Sequence, residues 1–124
     1  MRSRGDDVVT EQPGESVNRA TKVSHEAKDL SQAQLARTHP SDIPPLTHEI
    51  ADTLDSLKQV TAQLSWWHSR AVNGSDYAPN EGANLGIEDA AAQLLAASRF
   101  VSAARDAVAA AETATRTVRW KRRH

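Results

Sequence analysis

Apolar residues recur every seven positions along two stretches of this chain. In the first, Ile43, Ile50, Leu57, Leu64 and Ala71 form one row, and Leu46, Val60 and Trp67 form a companion row that only Thr53 interrupts. In the second, Ile87, Leu94, Val101, Val108 and Thr115 run beside Ala90, Ala97, Ala104, Ala111 and Val118. That spacing keeps one stripe on one face of an α-helix. It predicts two long helices over residues 45–72 and 85–120, paired as an antiparallel hairpin by a loop at 73–84. Prolines 44 and 45 fit the first turn, where amide donors lack partners. Asn84 is the expected N-cap of the second helix, with Glu88 and Asp89 placed toward the positive end of its dipole.

Size complementarity suggests the register. With Val72 set opposite Leu85, Trp67 comes near Ala90, Leu64 near Leu94, Leu57 near Phe100 and Val101, Ile50 near Val108, and Leu46 near Ala111. Large side chains then face small ones, and the alanine row lets the partner helix approach closely. Trp67 is expected inside this seam. Trp66, about 100° away on the helix, is expected outside it.

Upstream, Val17, Ala20, Val23, Ala27, Leu30 and Gln34 recur at spacings of three and four. They predict an additional, weakly amphipathic N-terminal helix over residues 16–39, ended by His39-Pro40 because proline disfavours helical geometry in the residue before it. Residues 40–44 read as a linker. Residues 1–15 carry Gly5, Pro13 and Gly14, several acids and almost no apolar content, the composition of a disordered arm. The expected architecture is all-α: a two-helix hairpin, an extra N-terminal helix, a disordered arm and a basic tail at 121–124.

Composition adds a constraint. Of 124 residues, 39% are hydrophobic but only 4% aromatic, and many of the apolar ones are alanine, a thin core for a monomer. A three-helix arrangement, a dimeric four-helix bundle, or both are therefore expected, with a homo-oligomer, most simply a dimer, as the partner state. There is no cysteine, which excludes disulfides and thiolate metal sites and fits a cytoplasmic protein. Residues 1–10 lack the apolar segment of a secretory signal, and no apolar run reaches the length of a membrane span. Eleven arginines against four lysines, with abundant alanine, suggest a GC-rich bacterial genome.

The net charge of −1 hides a local asymmetry. Arg116, Arg119, Lys121, Arg122 and Arg123 crowd the C-terminus around Trp120, more charge than complementation of a helix dipole requires. Such a segment suits phosphate contacts and base stacking. His25 with Asp29, and His48 with Asp52, sit four apart with a glutamate beside each histidine. This pattern can hold a metal but more often marks a solvated helix N-terminus, and no metal or other cofactor is expected. Gly-rich phosphate loops, cysteine nucleophiles and nucleophile elbows are all missing, so catalysis is not expected.

In length and hairpin shape the chain resembles the small helical WXG-type substrates of bacterial type VII secretion. It departs from their motif, since Trp67 is followed by His68-Ser69 and the turn holds Asn73-Gly74 without tryptophan. Tyr77 and Glu81 have the spacing of the export signal but lie in the loop, so no site residue follows from the resemblance. The leading expectation is a non-catalytic interaction or assembly protein that self-associates through the hairpin and engages a protein partner through Trp66, Tyr77 and Trp120. The alternative is a nucleic-acid-binding accessory protein using Arg116, Arg119, Trp120, Lys121, Arg122 and Arg123. An antitoxin-like role, in which the arm folds on a partner, fits the same features.

Overall fold

The computed structural model describes residues 12–71 and 83–119. The chain divides into two units, Met1–Thr38 and His39–His124. In the first, helix α1 covers Glu15–Ser31 and buries none of its residues. Gly14 precedes it at φ 85°, a left-handed conformation that side chains with a Cβ resist. Glu15 pairs with Arg19 one turn on, at 3.3 Å. The helix stops well short of the predicted residue 39. The Ser31 hydroxyl bonds the Lys28 carbonyl at 2.7 Å and competes with the backbone there, and a short 3-10 turn at Leu35–Arg37 follows. Of the predicted arm, residues 1–11 lie outside the described residues.

The second unit opens with a 3-10 turn at Pro40–Asp42. His39 Nδ1 caps it by accepting the Ser41 amide at 3.2 Å. His39 is extended, as a residue before proline should be. Helix α2 then spans Ile43–Ala71, starting within the predicted linker, with Pro44 and Pro45 in its first turn. Helix α3 spans Ala83–Thr115. Asn84 therefore lies inside its first turn rather than capping it, and residues 116–119 are not helical. The predicted loop falls largely outside the described residues.

Helices α2 and α3 pack along their length as the predicted hairpin. Its axial register is also the predicted one, since Ser65 lies opposite Ala91 and Lys58 opposite Ser98. The rotation of the helices is not. The seam is formed by Ala51, Ser65, Ala91 and Ser98, all buried, with Leu54, Thr61, Ile87, Leu94 and Val101 half-buried beside them. Ser65 Oγ donates to the Ala91 carbonyl at 2.7 Å, and Ser98 Oγ reaches the Lys58 carbonyl at 3.3 Å. Side chains this short span the gap only where the backbones are close. That approach leaves no room for a leucine-and-tryptophan row between the helices, so the expected seam of Leu57, Val60, Leu64 and Trp67 is turned out of it. The Ile87 to Thr115 row of α3 stays in the seam, but its companion is Ala91, Ser98, Arg105 and Glu112 rather than the Ala90 row.

Candidate functional site

The displaced row defines the most distinctive surface of the molecule. On α2, Leu57 and Leu64 lie one residue before the seam positions Lys58 and Ser65, which rotates them about 100° from the seam. Val60 and Trp67 lie further round the same side. On α3, Ala90, Ala97 and Ala104 lie one residue before Ala91, Ser98 and Arg105, with Phe100 beyond them. In an antiparallel pair, rows that precede the seam rows in sequence emerge on the same side. One side of the hairpin is therefore apolar across both helices, and no charged residue interrupts either row.

The large side chains among them are open to solvent. Leu64 is 44% exposed, Trp67 52% and Phe100 75%, the reverse of the sequence expectation for Trp67. A contiguous apolar face of this extent is uncommon on a monomer and marks interaction sites. The opposite side carries Asp52, Gln59, Arg99 and Asp106. Trp66 also falls there, 61% exposed, with the Arg70 guanidinium 4.6 Å from the centre of its ring. Trp66 and Trp67 thus serve different sides of α2. Trp67 makes an edge contact with His68, ring centres 5.1 Å apart, and His68 Nδ1 bonds the Leu64 carbonyl at 2.7 Å.

At the other end of the hairpin a polar clamp joins the helices. His48 Nδ1 lies 3.3 Å from Glu112 Oε1, and His48 Nε2 lies 3.5 Å from Asp52 Oδ2. The hydrogen bond to Glu112, the charges of Asp52 and Glu112, and a smaller contribution from Glu49 raise the pKa of His48 above 6.5. The sequence reading placed His48 with Asp52 on one face of a helix. The predicted register puts Glu112 at the same end of the hairpin, but only the rotation of the helices turns it toward His48. Among the described residues, no group of three or more His, Cys, Asp and Glu is arranged to hold a metal ion.

The other residues singled out from the sequence are not brought together. Arg116 and Arg119 are exposed just past the end of α3, while Tyr77, Trp120, Lys121, Arg122 and Arg123 lie outside the described residues. Missed by the sequence reading were the seam serines. Their signal is present, since Ala51, Lys58 and Ser65, and likewise Ala91, Ser98 and Arg105, recur by sevens one position after the apolar rows. Among the described residues, no helix is long and apolar enough to cross a membrane. No protein family, curated protein or solved structure matches the chain.

Proposed function

We propose that this chain is a non-catalytic helical interaction module, which self-associates through the hairpin and engages a protein partner. The observation that carries this reading is the exposed apolar face of Leu57, Val60, Leu64, Trp67 and Phe100. The energetics of the hairpin point the same way. Among its described residues the buried ones are Ala51, Ala71 and Ala91 with Ser65 and Ser98, a small gain beside an ordering cost of about 1.5 kcal/mol per residue. A Leu, Val, Phe or Trp side chain contributes several times more than an alanine when covered, about 1.5–3 kcal/mol each for the aliphatic and Phe side chains. The open face therefore holds a large share of the hairpin's unused hydrophobic stabilisation.

Light scattering coupled to gel filtration tests the proposal. The full chain is expected to run as a dimer at high concentration. Leu57→Glu with Leu64→Glu, which places two charges on the face and none in the seam, is expected to run as a monomer of unchanged helicity. A wild-type monomer at every concentration overturns self-association. The alternative of nucleic-acid contact draws on Arg116 and Arg119 as its described residues. It is checked on the same samples by adding DNA or RNA at low salt, where binding must weaken steeply with added salt.

A further inference from the structure

Resting on that self-association, the structure also points to how two copies meet. We infer that they stack their apolar faces about a two-fold axis parallel to the helices, so that α2 of each copy lies antiparallel against α3 of the other. Three observations lead there.

The first is steric. The face is bulky along α2 and small along α3, where Ala90, Ala97, Ala104 and Ala111 recur by sevens with Phe100 as the one large residue. Stacking α2 on α2 would press Leu57, Leu64 and Trp67 against their own copies and leave the alanine rows facing across a gap. Stacking α2 on α3 sets large against small on both sides at once. Interdigitation of this kind is what close packing of helices requires.

The second is register. Rotation about an axis parallel to the helices leaves every residue at its own height, so the register inside one chain dictates the register between chains. With Ser65 level with Ala91 and Lys58 level with Ser98, Trp67 meets Ala90 of the other copy, Val60 meets Ala97 and Leu46 meets Ala111, while Leu57 meets Phe100 as the one large-on-large pair. The alternation needs no sliding adjustment along either helix.

The third is extent and charge. Helices of 29 and 33 residues overlap for roughly 40 Å at 1.5 Å per residue. A face two helices wide over that length approaches the ~800 Å² per partner of a standard stable interface. With no charge in the rows, it offers nothing to a nucleic acid. A foreign helix would have to bring bulk for α3 and small residues for α2 together, whereas a second copy brings both by symmetry. The product is a four-helix bundle, in which α2 and α3 meet within chains through serines and alanines and between chains through leucine, valine and tryptophan.

The absence of native cysteine makes the arrangement directly testable. Full-length Val60→Cys and Ala97→Cys chains, distinguishable by a tag, are mixed under mild oxidation, with light scattering and circular dichroism as controls for association and folding. A disulfide joining the Val60→Cys chain to the Ala97→Cys chain, in excess over either homodisulfide, is the expected result. A dominant Val60→Cys homodisulfide, or a dimer in which neither cysteine pair forms, overturns this arrangement while self-association stands. A monomer in light scattering overturns both.

Discussion

Two adjacent residues on α2 discriminate sharply between the observed seam and the one the apolar pattern suggests. Ser65 is 7% exposed and its hydroxyl lies 2.7 Å from the Ala91 carbonyl, whereas Leu64 is 44% exposed. Ser65→Leu removes the hydroxyl and forces a branched side chain into a gap that a serine already spans. Overpacking of this kind costs about 1–3 kcal/mol, and the lost hydrogen bond about 1 kcal/mol more. The second figure stays low because the Ala91 carbonyl keeps its own helical amide donor. A total of about 2–4 kcal/mol lowers the melting temperature of a hairpin this size by roughly 10–30 °C. Leu64→Ser, in dilute protein, costs about 1 kcal/mol, since nearly half the leucine already meets water. The two effects also respond differently to protein concentration. On the proposed dimer, the Leu64→Ser deficit is expected to grow as concentration rises, because only association would cover that side chain. The Ser65→Leu deficit inside the chain is present at every concentration. Thermal melts by far-ultraviolet circular dichroism at two well-separated concentrations measure both. A larger loss for Leu64→Ser than for Ser65→Leu in dilute protein would place Leu64 in the seam and refute this reasoning.

Other outcomes follow from individual side chains. Because the folded pKa of His48 is raised, its clamp to Glu112 contributes fully below pH 6.5 and is lost as pH rises through the folded value. Melts across that range should show stability declining with pH, and Glu112→Gln should flatten the profile. Trp67 lies on the face proposed to associate and Trp66 does not, so tryptophan emission should shift to the blue as concentration rises. Trp67→Phe should abolish that shift and Trp66→Phe preserve it. Gly86 sits in the first turns of α3, where an added Cβ meets nothing within 4 Å. Gly86→Ala should stabilise the protein by about 0.4–1 kcal/mol in denaturant titrations. The same change at Gly14, held at φ 85° before α1, should lower the helical content of α1 in circular dichroism.

The sequence by itself determined the helices, their pairing and their axial register. Heptad spacing is a property of local geometry, and the match of Trp67 with Ala90 or Leu57 with Phe100 depends only on distance along the chain. Prolines 44 and 45 marked the start of α2 to within two residues, whereas Pro40 did not set the end of α1, and α1 and α3 both stop earlier than their apolar spacing suggests. The tertiary structure alone decided which side of each helix turns inward. Both rows, Leu57–Leu64 and Lys58–Ser65, recur by sevens, and hydrophobicity favours the first. The second forms the seam because serine and alanine let the backbones close to hydrogen-bonding distance, and a hydroxyl then finds a carbonyl on the other helix. The same choice brings His48 to Glu112, 64 residues apart in sequence, and exposes the apolar row as a surface. The large-against-small match legible in the sequence is thus kept, with its place moved from inside the chain to the face proposed to join two copies.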